Sequence, residues 1–142
     1  MPYKFKALTY WIIIANCLMM IGAGHAVAPF IFWELFTLIS GDIYGENFCF
    51  GFGCSYNASL NVAALVSLAG QFMLLVSTGR ESHWLRHISL GILLFGFAFL
   101  CHNLFSDGLT QFTFFTGIPF LAFTIRLIYL LRMQVPDEQI EK

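Results

Sequence analysis

ALTYWIIIANCLMMIGAGHAVAPFIFWELFTLI, residues 7–39, is a run of 33 residues without a lysine or an arginine. A single helix of that length would be about 50 Å long, whereas the hydrocarbon core of a bilayer is about 30 Å thick. The chain must therefore bend within this segment. Pro29 removes a backbone donor, and Gly22 and Gly24 loosen the preceding turn, so we expect a helix break between residues 24 and 30.

The composition of the whole chain is that of a membrane protein. Of its 142 residues 58% are apolar and 11% are charged, whereas a soluble domain carries about a quarter charged residues. Four helices of about 20 residues would consume most of the chain, which leaves no room for a second domain. Seven basic residues against eight acidic residues, without a basic tract, exclude a nucleic-acid-binding protein.

The alternation of apolar runs and polar connectors predicts one membrane domain over residues 1–142. We expect an all-α integral membrane protein, an antiparallel four-transmembrane-helix bundle with a kinked or interfacial extension after helix 1. The predicted spans cover residues 7–28, 60–78, 88–105 and 112–131, with a short interfacial segment over 29–39 and an outer loop over 40–59.

The basic residues predict the orientation of these spans. All seven fall on one side of the predicted bundle, and acidic residues such as Asp42 and Glu46 fall on the other side. By the positive-inside rule, we expect a protein of the plasma (inner) membrane with both termini in the cytoplasm. Four arginines are expected to contact lipid headgroups at the inner surface: Arg80, Arg86, Arg126 and Arg132.

Small residues on one face of a membrane helix predict where another helix packs. In the second span Ala63, Ser67 and Gly70 share one face, and Gln71 lies beside them near mid-depth, where its amide needs a partner. In the third span Gly91 and Ala98 are seven residues apart and predict a second contact face.

Four ionisable residues are predicted to lie near the outer surface: His25, Glu34, His102 and Asp107. Imidazole and carboxylate groups together could bind a divalent metal ion or carry a proton, and two histidines could hold a haem b. The alternative interpretation is that these groups cap helix ends and form hydrogen bonds at the wet interface. We expect no cofactor under that interpretation, which the absence of a known ligand spacing favours.

The four cysteines divide into two kinds. Cys49 and Cys54 share the outer loop, and an oxidising compartment predicts a disulfide between them. A redox-active pair is the alternative. Cys17 and Cys101 lie within predicted helices, where ordinary apolar packing accounts for them.

These patterns favour a non-catalytic protein over an enzyme. We expect it to act through helix–helix contacts, as a homo-oligomer or as an accessory subunit of a larger membrane complex. Its partners would be the lipid bilayer and a second copy or another membrane protein, and not nucleic acid. The alternative function is an outward-facing cation, proton or haem site, used in transport or electron transfer and built on His25, His102, Glu34 and Asp107.

Overall fold

The computed structural model describes residues 3–23, 26–40, 49–51, 54, 56–102, 104–105 and 108–134. Helices and one short β-hairpin make up its regular structure. In chain order the elements are α1 (Tyr3–Leu18), β1 (Met20–Ala23), β2 (Ala26–Pro29), α2 (Phe30–Ser40), α3 (Tyr56–Arg80), α4 (His83–Leu100) and α5 (Gly108–Gln134).

Three of the described helices are long and apolar enough to cross a membrane: α3, α4 and α5. They correspond to the second, third and fourth predicted spans and indicate a membrane protein. The third span is displaced from its predicted limits of 88–105, because α4 begins at His83 and ends at Leu100. The hydroxyl of Ser82 accepts a hydrogen bond of 3.4 Å from the Leu85 amide and so starts the helix earlier.

The first predicted span, over 7–28, is not one continuous helix. Helix α1 ends at Leu18, before the break that we predicted between residues 24 and 30, and an antiparallel hairpin separates it from α2. Both α1 and α2 are shorter than the three membrane-length helices. The Phe30 amide donates a hydrogen bond of 2.8 Å to the Met19 carbonyl and so closes the open end of the hairpin.

At Met20 the backbone groups of the hairpin that point away from the ladder are paired with a side chain of α5. Because Phe30 bonds to Met19, the alternation of an antiparallel ladder turns the polar groups of Met20 and of its partner Pro29 away from each other. The missing N–H of Pro29 therefore costs no ladder bond. The Thr116 hydroxyl of α5 lies 3.2 Å from the Met20 nitrogen and 3.1 Å from the Met20 oxygen, and bonds to both.

Helices α3 and α4 form an antiparallel pair joined by a tight turn, in which Glu81 has a positive φ of 54°. Ala63, Ser67 and Gly70 of α3 are buried, as the small-residue face requires. A Cβ atom added at Gly70 would lie 2.8 Å from Leu93 Cγ. On α4 the small residue at this interface is Gly96, where an added Cβ atom would lie 3.2 Å from the Ser67 hydroxyl oxygen.

Helix α5 packs against α1, β1 and α4. The rings of Trp11 and Phe123 stack with centroids 6.2 Å apart. At Gly117 an added Cβ atom would overlap the ring of Phe97 and approach the Met19 sulfur to 3.0 Å, so α5 makes a close contact there. The buried core continues through all five helices, with Ile12, Phe30, Leu74, Leu93, Phe97 and Phe120 among its members.

Candidate functional site

Glu34 of α2 is fully buried against α3. Its Oε1 atom accepts a hydrogen bond of 2.8 Å from Nε2 of Gln71, which is also buried. Helix α2 has the sequence FIFWELFTLIS, in which Glu34 is the one ionisable residue. The residue before Glu34 also ties α2 to α3, because Trp33 Nε1 donates a hydrogen bond of 2.9 Å to Asn61 Oδ1.

Gln71 connects the Glu34 carboxyl group to α1. Its Oε1 atom accepts a hydrogen bond from the thiol of Cys17, with a sulfur-to-oxygen distance of 3.8 Å. One amide therefore bridges a thiol on α1 and a carboxyl group on α2. We call Cys17, Glu34 and Gln71 the carboxyl cluster.

One oxygen atom of the carboxyl cluster forms no hydrogen bond with the described residues. The Oε2 atom of Glu34 is buried and has no hydrogen-bond partner among the residues that the structure describes. The Nδ2 atom of Asn16, the residue before Cys17, is also buried and also lacks a hydrogen-bond partner among the described residues. A buried carboxylate requires compensation of its charge, and one hydrogen bond from a neutral amide does not supply it.

The cluster lies where the first helical segment is interrupted. Cys17 is the penultimate residue of α1, and Glu34 is the fifth residue of α2. Irregular backbone at membrane depth is tolerated where it is enclosed by protein or lines a cavity, and many transporters bind ions at such helix breaks. The arrangement of a carboxyl group, an amide and a helix break is therefore suited to binding a proton or an ion.

The structure does not bring Glu34 and His102 together. Gly70, adjacent to Gln71, packs on Leu93, whereas His102 lies nine residues beyond Leu93, in the turn after α4. The His102 ring lies on the Phe99 ring, and its Nδ1 atom is 2.7 Å from the Phe99 carbonyl oxygen. The other two members of the predicted site, His25 and Asp107, lie outside the described residues.

No group of three or more metal-ligating His, Cys, Asp or Glu side chains occurs within the described part of the chain. The carboxyl cluster itself offers one carboxyl group, one amide and one thiol. This set lacks the several oxygen ligands that calcium or magnesium requires and the imidazoles that haem b requires.

Cys49 and Cys54, the pair predicted to form a disulfide, are bonded to each other, with Cα atoms 5.8 Å apart. Phe50, the residue after Cys49, stacks on Phe99 with a centroid distance of 5.6 Å and on Phe95 with a centroid distance of 6.4 Å. The ring contacts fix this part of the loop against the end of α4.

The residues predicted for helix packing do not all lie at the interface between α3 and α4. Gln71 belongs to the carboxyl cluster as well as to the α3 packing face. Gly91 and Ala98 are exposed on α4, and the structure does not bring them to the α3 interface, because Leu93 and Gly96 occupy the face that meets α3.

Among the four arginines predicted to contact headgroups, Arg86 is the exception. It is fully buried, and its Nη2 atom donates a hydrogen bond of 3.4 Å to the Ser77 carbonyl at the end of α3. It therefore links α3 to α4 rather than reaching the surface. Arg80, Arg126 and Arg132 are exposed.

Two residues of functional interest were not predicted from the sequence. Cys17 was assigned to apolar packing, and Thr116 was not singled out at all. A polar side chain within a long apolar run is the sequence signal that could have identified Cys17, since Asn16, Cys17 and Gln71 all interrupt such runs. In comparisons with known proteins, no family model, no curated protein and no solved structure matches this chain.

Proposed function

We propose that this chain is a multi-pass membrane protein that binds and releases a proton at Glu34, and that this step drives proton-linked transport. The observation that carries the proposal is the buried Oε2 atom of Glu34, which has no hydrogen-bond partner among the described residues. An ionisable residue buried in a membrane protein is expensive to maintain, and such residues mark proton and ion pathways.

The ligand set favours a proton over a metal ion. Gln71 is already oriented by two hydrogen bonds, so its Nε2 atom holds Oε1 of Glu34 and its Oε1 atom accepts from Cys17. Oε2 of Glu34 then receives the proton. The protonated carboxyl group is neutral and suits its apolar surroundings, whereas the ionised group requires a cation or access to water.

Loss of the proton therefore favours a rearrangement of α2. This helix is short, and a hairpin of two four-residue strands separates it from α1. A shift of α2 relative to α3 would break the bond between Glu34 and Gln71 and would expose the carboxylate to water. In this mechanism protonation closes the site and deprotonation opens it.

Infrared difference spectroscopy between acidic and alkaline pH tests the proposal directly. In reconstituted protein we expect the carbonyl band of a protonated carboxyl group, and we expect Glu34→Gln to abolish it. Glu81→Gln removes an exposed carboxyl group from the turn after α3 and serves as the matched control, which keeps the band. A band that persists in Glu34→Gln contradicts the proposal.

A second observation favours the alternative of action through helix contacts. Gly91 and Ala98 lie seven residues apart on the exposed side of α4, and no neighbouring helix among the described residues has an atom within 4 Å of a Cβ atom added at Gly91. Such a face permits close approach of a second membrane helix, from another copy or another subunit. Gly91→Leu would then dissociate the complex in native mass spectrometry, whereas Glu34→Gln would leave it intact.

We also propose that the protein lies in the plasma (inner) membrane with both termini in the cytoplasm. The asymmetric distribution of lysine and arginine in the sequence supports this orientation.

A further inference from the structure

An apolar groove of about 290 Å³ lies between α1 and α5. Trp11 and Ala15 line its α1 side, and Pro119 and Phe123 line its α5 side. The hydroxyl of Thr116 also lines the groove, but it is already bonded to the Met20 backbone. The walls therefore offer a ligand an apolar surface.

This groove is open towards the surroundings of the protein, and not towards its core. Trp11 is 55% exposed although it stacks on Phe123, and Pro119 is also exposed. Helix α5 is one of the membrane-length helices, so its exposed side faces lipid hydrocarbon. The molecules that can enter the groove are therefore those of the bilayer.

One end of the groove is positively charged. Arg126 is exposed and lies seven residues after Pro119 and three after Phe123, so the helical period places all three on one face of α5. Lys6 of α1 lies towards the same end, but the helical period places it about 140° from Trp11 and therefore off the groove face. Neither α1 nor α5 contains an aspartate or a glutamate that could neutralise these charges.

We propose that the groove binds one acyl chain of an anionic phospholipid, whose phosphate group binds Arg126. The apolar walls hold the chain, and the guanidinium group pairs with the phosphate in a charge-assisted hydrogen bond. This site is separate from the carboxyl cluster, since Cys17 faces Gln71 of α3 while Ala15 faces α5.

Native mass spectrometry of the full chain in mild detergent tests the headgroup contact. Phosphatidylglycerol and phosphatidylcholine with identical acyl chains are the probes, and the unmodified protein should retain phosphatidylglycerol preferentially. Arg126→Gln should lower this preference about fivefold, which corresponds to about 1 kcal/mol for one cationic side chain near the surface. Arg132→Gln, also exposed on α5 but six residues beyond Arg126, is the matched control and should lower the preference less than Arg126→Gln does. Equal losses in the two variants would overturn the proposal.

A second variant tests the chain-binding part of the groove. Ala15→Phe fills the space between α1 and α5 and should reduce retention of both lipids. Ala69→Phe adds the same volume at an exposed position of α3 and should leave retention unchanged. Unchanged lipid retention in a folded Ala15→Phe variant would overturn the proposal. The Arg126→Gln variant is an independent test, because Arg126 is exposed and its replacement does not alter packing in the groove.

Discussion

Oε1 of Glu34 accepts a hydrogen bond of 2.8 Å from Nε2 of Gln71, across 37 residues of sequence and between two buried side chains. The bond joins α2 to α3, and the Cys17 thiol extends it to α1. Three helices therefore depend on one amide for their polar contacts in this region.

Removing this amide should destabilise the protein. Gln71→Leu leaves the Glu34 carboxyl group buried without a donor and should lower the free energy of unfolding by about 1–3 kcal/mol, as measured by titration with a denaturing detergent. Gln111→Leu, at an exposed position on α5, is the control. The double variant Glu34→Leu with Gln71→Leu should recover most of the loss, because no buried polar atom of the pair remains. A double variant that is no more stable than Gln71→Leu would refute this account.

The close contact at Gly117 should not tolerate a side chain. Gly117→Ala places a methyl group against Phe97 and Met19, and overpacking of this kind costs about 1–3 kcal/mol. Gly91→Ala is the matched control on α4, because its added methyl group meets no other element in the described part of the chain, and it should stabilise the helix by up to about 1 kcal/mol. Thermal unfolding in detergent measures both changes. Phe97→Leu should partly rescue Gly117→Ala, and similar melting temperatures for the two glycine variants would argue against the contact.

The Thr116 hydroxyl should protect the hairpin backbone. Thr116→Val removes the partner of the Met20 N–H and C=O groups, which should cost about 1–3 kcal/mol and speed hydrogen exchange at the Met20 amide. Thr116→Ser keeps the hydroxyl group and should retain slow exchange. Equal exchange rates in the two variants would show that this hydroxyl is dispensable.

The disulfide should link Cys49 and Cys54 and leave Cys17 and Cys101 as thiols. After alkylation of the unfolded, unreduced protein, reduction should release two further thiols, which peptide mass mapping assigns. A variant with Cys49→Ser and Cys54→Ser should lose about 2 kcal/mol, the estimate for a short closed loop, and its loop should be cut faster by protease. Cys101→Ser is the control. Release of a thiol from Cys17 on reduction would contradict this pairing.

Reporter fusions should place both termini in the cytoplasm. A fluorescent protein that matures only in the cytoplasm should fluoresce when it is fused before Met1 or after Lys142, because the basic residues stay on the inner side. An alkaline phosphatase fusion that is active at either end would contradict this orientation.

Much of the helical framework could be predicted from local composition. The predicted spans 60–78 and 112–131 fall inside α3 and α5, because each is a long apolar run bounded by polar or turn residues. The predicted limits of the third span, 88–105, were less accurate. The cap formed by Ser82 starts α4 at His83, and the apolar character of the sequence alone does not indicate this earlier start.

The candidate site was only partly predictable. Glu34 was singled out as an ionisable residue expected near the outer surface, and Gln71 was singled out because its amide near mid-depth needs a partner. Their contact with each other was not predicted, because the expected continuous span 7–28 placed Glu34 near the outer surface with His102. The hairpin changes this position, and the glutamate meets α3 at Gln71 instead.

The sequence by itself determined that this is a membrane protein and located its three long apolar helices, because charged side chains are costly to bury in lipid and are therefore rare in each apolar run. The remaining predicted span, over residues 7–28, is not one continuous helix. Tertiary structure decided how residues 7–39 fold. A hairpin can replace helical turns there in part because the free N–H and C=O groups of Met20 meet the Thr116 hydroxyl of α5, 96 residues away. That compensation depends on contacts between distant segments, and no local pattern in the segment specifies it.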